Sequence, residues 1–311
     1  TGACWRPSKK GCPKIGSLHS VAELRYNIYL RMKKYKLVII TVTYNPNVKE
    51  LNLFINSYYK YNDLGDNAKL IIVDNSPTDS WGRTEFAQRY NDIEFISNPS
   101  NPGFGASNNI GFKKYLSEYT LFINNDVEFL EPLFKLLIKE FEKDISLGCI
   151  GIHQKGGAPS FFQKMTAPPN TKLDKFDQKI HFISGAFMFF KSQIFIEIGM
   201  FDPKLFMYFE EFDLSERLLS KGYKTIYLDK YHFLHKAGHR TEQNEFAAQK
   251  GSDSFCYICK KYQLNYKQKN QAYIKRMRKM IIYNLLVLNI KEVLKLRRII
   301  NYRKKVIKEN F

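Results

Sequence analysis

The chain has 311 residues, 44% hydrophobic and 25% charged, which suits one large globular domain or a domain with an appendage. Its five cysteines, Cys4, Cys12, Cys149, Cys256 and Cys259, are odd in number and exclude a small disulfide scaffold; the longest apolar run, residues 280–290, is about half the length that crosses a bilayer. The net charge of +19 is uneven: residues 251–311 carry +13, residues 1–31 carry +5, and residues 32–250 only +1.

Residues 1–31 lack periodicity and read as a leader or appended extension outside the fold. Residues 37–43, LVIITVT, are a continuous β-branched run of the kind that forms a strand buried on both faces, and Pro46 ends it. A helix is predicted over 48–62, from apolar residues at Val48, Leu51, Phe54, Ile55 and Tyr58. Strands are predicted at 69–74 and 93–97, a helix at 105–117 after a glycine turn, a strand at 119–124 and a helix at 130–143. Residues 153–180 lose this rhythm and read as a long surface loop. Residues 181–190 read as one strand, 211–221 as a helix ending at Gly222, and 224–228 as a strand. Strands separated by helical stretches predict an α/β fold with a mostly parallel sheet. Domain boundaries are placed at 32–250 for this body and 251–311 for a basic amphipathic helical tail.

Four polar clusters follow successive strands: Thr43-Tyr44-Asn45, Asp74-Asn75-Ser76, residues 98–109, and Asn124-Asn125-Asp126. Each alone could be a turn, since Asn and Asp hydrogen-bond locally. As a set they place polar groups along one sheet edge, where an open α/β sheet binds its ligand. Asp74 could accept from a ribose hydroxyl or a base N–H, and the glycines of NPGFGASNNIGF, Gly103 and Gly105 among them, let backbone approach a ligand. Asp126 is a plausible oxygen ligand for Mg²⁺ or Mn²⁺. Glu210, Glu211 and Asp213 lie together among aromatics. Asp213 with Glu216 forms a capping-box pattern, which leaves one of Glu210 and Glu211 as a candidate general base of raised pKa. His232, His235 and His239, half of the six histidines, follow and form a candidate metal or phosphate cluster. Cys256-x-x-Cys259 reads as two reduced thiols one helical turn apart.

TVTYN, IIVDNSPTDS, NPGFGASNNIGF, FINNDV and GAFMFFKSQIFIEIGMFDPKLFMYFEEFDLSERLLSKGY, followed by His235, resemble in that order the family 2 inverting glycosyltransferases, of the bacterial rhamnosyltransferase-like branch, over about residues 36–240. The resemblance implies a GT-A fold, a nucleotide-diphosphate sugar donor, such as dTDP-rhamnose or a UDP-hexose, and a divalent cation. It implies that Thr43, Tyr44, Asn45, Asp74 and Asn75 hold the nucleoside, that Asn101, Gly103, Gly105 and Asn108 close over the donor, and that Gly185 and Ala186 lie beside the sugar. It puts Asn124-Asn125-Asp126 where the family has Asp-x-Asp, so Asp126 remains the charged metal ligand, with His235 completing the site. Glu211 stands where the family has its basic carboxylate, with Glu210 before it. A nucleotidyltransferase would want more than Lys49 in its first strand-to-helix turn. A nucleic-acid-binding protein would want its charge on the body, so no nucleic-acid partner is expected. A catalytically inactive relative remains an alternative, because Asn124 replaces an acid. The basic tail is expected to hold a cytoplasmic protein on the anionic inner face of the plasma membrane, near a glycan acceptor on a lipid carrier.

Overall fold

In the computed structural model the described residues are 35–79, 81–156, 160–168, 175–235 and 245–311. The proposed leader and His239 lie outside them. The chain alternates strand and helix: β1 (Tyr35–Thr43), α1 (Val48–Tyr61), β2 (Ala68–Asp74), α2 (Arg83–Arg89), β3 (Glu94–Ser97), α3 (Phe104–Lys114), β4 (Ser117–Ile123). It continues with β5 (Val127–Phe129), α4 (Phe134–Lys143), β6 (Leu147–Lys155), β7 (Phe161–Gln163), β8 (His181–Ile183), β9 (Phe187–Lys191), α5 (Ser192–Glu197), α6 (Glu210–Ser220) and β10 (Lys224–His235).

Eight strands form one sheet in the order β3-β2-β1-β4-β9-β6-β10-β5, and β7 and β8 form a separate two-stranded ribbon. β3, β2, β1 and β4 are mutually parallel, so their carboxyl ends share one edge; β9 enters antiparallel between β4 and β6. The β-branched run of β1 reads as continuously apolar because both faces are covered. Leu37 and Ile39 pack into one core layer with Leu51, Phe54 and Phe134 of α1 and α4. Val38 and Ile40 pack into the other with Phe112 of α3, Phe195 of α5 and Leu214 of α6.

The structure departs from the predicted elements in several places. α2 and β5 lie where no element was predicted, and β6 was not predicted as a strand either. Gly148 and Gly151 dilute its apolar signal, yet a Cβ on Gly151 would sit 2.5 Å from the Ile183 side chain, so the glycine is what lets β8 approach. The predicted strand at 181–190 breaks at Ser184–Ala186 into β8 and β9, which belong to different sheets. The stretch 153–180 is not all surface loop: Lys164 is fully buried, and its Nζ pairs with Glu216 at 2.9 Å. β10 runs on to His235, past a bulge between Leu228 and His232 that interrupts the pattern.

Three helices follow: α7 (Glu245–Lys261), α8 (Tyr266–Leu286) and α9 (Ile290–Asn310). α7 begins before residue 251 and is tied to the body. Ile258 packs with Leu205 and Phe212, Ser254 donates to the Met207 carbonyl (2.8 Å), and Tyr262 donates to Asp213 (2.7 Å). Cys256 and Cys259 are free thiols buried on its inner face, and burial pushes Cys259 up to about 11. Among the described residues, no helix is long and apolar enough to cross a membrane.

Candidate active site

The first half of the carboxyl edge is closed by its own side chains. Asp74, fully buried at the end of β2, accepts from the Thr43 hydroxyl (2.9 Å), the Ser76 hydroxyl (2.6 Å), Trp81 Nε1 (3.2 Å) and Arg83 Nη1 (2.9 Å). Asn75 Oδ1 accepts from Asn98 (2.6 Å) and Ser107 (3.0 Å), while its Nδ2 donates to Asn101 (3.1 Å). Backbone bonds carry the edge across strands: Asn75 N to Thr43 O (2.9 Å) and Asn98 N to Asp74 O (2.8 Å). Tyr44 is exposed, and Asn45 and Asn101 both have positive φ, 43° and 41°. Trp81 and Arg83 were missed in the sequence, because they sit in and just after an irregular stretch where no period marks a partner for Asp74. An open cavity of about 480 Å³ lies between α2 and β3, lined by Arg83, Thr84, Gln88 and Phe95 among others, and includes none of the acids or histidines described below.

The second half of the edge is different. β10 pairs with β5 so that His235 lies opposite Val127, which brings His235 beside Asp126 although the two are far apart in sequence. His235 Nε2 faces Asp126 Oδ1 at 3.1 Å and Asn124 Nδ2 at 3.5 Å. The Asp126 contact lacks hydrogen-bond direction: Asp126 Oδ1 and His235 Nδ1 are both buried without a hydrogen-bond partner. Such atoms are costly unless something else satisfies them. The ring nitrogen that faces Asp126 is Nε2, and Nδ1 is the other one; Nε2 and Asp126 Oδ1, 3.1 Å apart, are a nitrogen and an oxygen donor of the kind that would hold a divalent cation together with phosphate oxygens. Among the described residues no third histidine, cysteine or carboxylate joins them. Asn125, between Asn124 and Asp126, is half-buried.

Asn124 also ties this pair to the glutamates. Its N–H donates to Ala186 O (3.2 Å), and a Cβ on the adjacent Gly185 would fall 2.2 Å from Glu211 Oε1. Gly185 therefore leaves room for the Glu211 carboxylate, which is half-buried. Glu210 is fully enclosed, with Oε1 lacking a partner; burial first, then the Glu211 charge, pushes its carboxyl well above the usual range. Gly105 of α3 packs on this side too, where a Cβ would meet Phe201 at 2.9 Å and Glu210 Cγ at 3.4 Å. Gly103, at φ 100°, lies against the Phe206 carbonyl, to which Phe104 N–H donates (2.9 Å). Asn108 Oδ1 is another buried atom without a hydrogen-bond partner.

The helix that carries Glu210 and Glu211 starts abruptly. Tyr208 and Phe209 both have φ 71°, an unfavourable conformation for aromatic residues that persists only where surroundings impose it. α7 supplies part of that surrounding, through Ser254 on Met207 O and through Gly251 beside the Tyr208 ring. The capping box predicted for Asp213 and Glu216 does not form, because the helix begins at Glu210, one turn early. Asp213 instead pairs with Arg217 one turn on and with Lys261, while Glu216 pairs with Lys164. Gly222, at φ 79°, ends the helix as predicted, with Tyr223 N bonding Leu218 O (3.0 Å). His232 turns away from Asp126: its ring packs edge-on against His153, and its Nδ1 is 3.7 Å from Glu131.

The model of the family described as Glycosyl transferase family 2 matches residues 38–199. N-acetylglucosaminyl-diphospho-decaprenol L-rhamnosyltransferase of Mycobacterium tuberculosis is 22% identical over 241 residues, 66% of this chain and 77% of that protein. Rhamnosyltransferase WbbL of Escherichia coli strain K12 is 28% identical over 197 residues, 55% of this chain and 74% of that protein. Among solved structures, GalNAc-T7 with UDP, GalNAc and Mn²⁺ superposes with a TM-score of 0.52 at 16% identity, over 65% of this chain and 44% of its own. Mannosyltransferase PcManGT from Pyrobaculum calidifontis, in complex with GDP-Man and Mn²⁺, gives 0.51 at 14% identity, over 78% of this chain and 71% of its own. This chain thus spans less than half of GalNAc-T7. The structural likenesses show the fold, which is the GT-A sheet expected from the sequence.

Proposed function

This chain belongs to glycosyl transferase family 2, and from that premise we propose that it moves a sugar from a nucleotide-diphosphate donor to a hydroxyl of a glycan acceptor, with inversion and with a divalent cation. The observation that supports this reading is the approach of His235 Nε2 to Asp126 Oδ1, a buried oxygen without a hydrogen-bond partner, with Asn124 bonded through its N–H to Ala186 beside the Gly185 space that holds Glu211. Asp126 and His235 are the groups that would hold Mn²⁺ or Mg²⁺. Bound there, the cation supplies positive charge against the departing diphosphate. Glu211 takes the proton from the acceptor hydroxyl while that oxygen bonds to the anomeric carbon and the bond to the phosphate oxygen breaks on the opposite face. Glu210, enclosed and held neutral toward higher pH, limits the negative charge beside Glu211. Gly185 gives the Glu211 carboxylate its space, and Gly103 and Gly105, expected to face the donor, instead let the start of α3 close against Phe206 and Phe201. The rhamnosyltransferase relatives support rhamnose as the sugar moved, for which dTDP-rhamnose is the proposed donor, and the decaprenol-linked substrate named for the mycobacterial relative supports a lipid-linked acceptor. The charge of +13 over residues 251–311 favours the anionic cytoplasmic face of the membrane.

A panel of dTDP-, UDP- and GDP-sugars, assayed for hydrolysis and transfer with and without EDTA, tests the reading. Turnover of one donor that stops with EDTA and returns with Mn²⁺ or Mg²⁺ is the expected result. In Glu211→Gln we expect kcat to fall by about 10²-fold or more with donor KM nearly unchanged. Turnover indifferent to EDTA would remove the metal role. A full loss in Glu210→Gln with none in Glu211→Gln would move the base one residue back.

A further inference from the structure

The hairpin of α8 and α9 is built differently at its two ends. At the base, α9 is fastened to α7: Tyr302 donates to Asp253 (2.9 Å), Arg298 pairs with Glu245 (3.0 Å), and the buried Arg303 guanidinium lies 3.7 Å from the centre of the Phe255 ring. Midway, Ile274 and Met277 of α8 pack on Leu296 and Ile300 of α9. At the tip the apolar side chains turn outward. Ile282, Tyr283, Val287 and Ile290 are more than half exposed, and Leu286 and Leu288 reach 78% and 81%. Soluble surfaces rarely gather large apolar side chains this way without a partner.

Two further features point to what that partner is. Leu288 takes φ 56° just past the end of α8, with Asn289 N closing on Asn284 O (2.8 Å). This left-handed position after a helix is where glycine fits with least strain, and folding alone gives no reason for an exposed leucine there. The charges supply the second feature. Residues 280–290 hold none, whereas Lys275, Arg276, Arg278 and Lys279 precede them and Lys291, Lys295 and Arg297 follow, with Glu292 paired to Lys295 as the one acid between residues 275 and 297. An uncharged apolar tip collared by cations matches a bilayer interface with negative headgroups, the tip meeting acyl chains and the collar meeting phosphates. From Lys279 to Leu286 the helix rises by about 10 Å, comparable to the depth of the boundary between headgroups and acyl chains.

We propose that residues 282–290 enter the interface of an anionic bilayer tip first, with Lys279, Lys291 and their neighbours at the headgroups. This sharpens the membrane part of the reading above and rests on it. It assigns the contact to the hairpin tip and excludes α7, whose inner face is packed against the catalytic body.

The test is co-sedimentation of the full chain with vesicles of phosphatidylglycerol and phosphatidylcholine, against pure phosphatidylcholine, at low and high salt. The Leu286→Glu/Leu288→Glu double variant is compared with the natural chain, with donor hydrolysis and Tm measured in parallel. We expect the double variant to lose vesicle partitioning by about tenfold or more, since it removes two insertion groups and adds charge of the membrane's own sign. Tm and donor hydrolysis should stay unchanged. A Leu288→Trp variant should show a blue-shifted emission component, absent from the natural chain, that brominated acyl chains quench. Equal pelleting of the double variant and the natural chain, or equal binding to neutral vesicles at any salt, overturns the proposal. So does a natural chain that leaves the vesicles and self-associates in solution until the tip is substituted, which would make a second copy the occupant. Absence of donor turnover with tip-dependent vesicle binding intact would instead count against the enzymatic reading and leave the tip assignment standing.

Discussion

Asp74 and Asp126 both stand where a buried parallel strand runs out, β2 in one case and β4 in the other, and their surroundings are opposites. Asp74 has spent its oxygens on Thr43, Ser76, Trp81 and Arg83. Asp126 faces His235 with an oxygen that makes no hydrogen bond, and the enclosed Glu210, packed beside Gly105, carries another. Buried polar groups in folded proteins are almost always satisfied, and a complete network stiffens the fold around it. In the protein alone, one half of the edge is saturated and the other holds buried atoms without hydrogen-bond partners.

Substitutions should separate the two halves by kind as well as by size. Asp126→Ala is expected to have the largest effect, a loss of about 10³-fold or more in kcat, because the charge held against the leaving diphosphate goes with it. Since no folding contact of Asp126 is strong, Tm should move by no more than about 1 °C. A large fall in Tm with activity retained per folded molecule would make Asp126 scaffold after all. Asp74→Ala should show the reverse pattern. Removing one partner from a buried ion pair with Arg83 costs about 3 kcal/mol, or roughly 10 °C in a domain of this size. Unchanged stability with a raised donor KM would break the comparison and return Asp74 to ligand binding. The smallest effect is a slope. Glu210 has a folded pKa above its unfolded value, so it binds its proton more tightly in the folded state. Its stabilisation is fully present below about pH 4.5 and is lost as pH rises through the folded pKa. Glu210→Gln, which keeps the shape without titrating, should gain in Tm over the natural chain as pH increases from about 4.5. Parallel Tm curves across that range would mean that Glu210 finds a compensating charge.

Much of this was legible in the sequence because it depends on local pattern. Continuous β-branched runs at β1 and β2 announce strands covered on both faces, and polar tripeptides after each strand announce an edge. The predicted helix over 211–221 matches Glu210–Ser220 to within a residue, although Asp213 was read as its cap. That error has a physical cause: the left-handed pair Tyr208-Phe209 begins the helix where no sequence preference would begin one. β6 was missed because glycines needed for close packing also weaken a strand's signal.

The sequence by itself determined the alternation of elements, the family's order of motifs and the separation of charge between body and tail. Each of these follows from residues near one another in the chain. Only the tertiary structure decided which acids are finished and which are open, because Trp81 and Arg83 reach Asp74, and His235 reaches Asp126, by strand pairing and packing that local pattern does not encode. It also decided that the basic tail is two things. α7 packs under the turn that presents Glu210 and Glu211, and the hairpin beyond it leaves its leucines outside. Both carry the same mixture of apolar and basic residues, and burial of one face in α7 but not at the hairpin tip is a property of what lies against them.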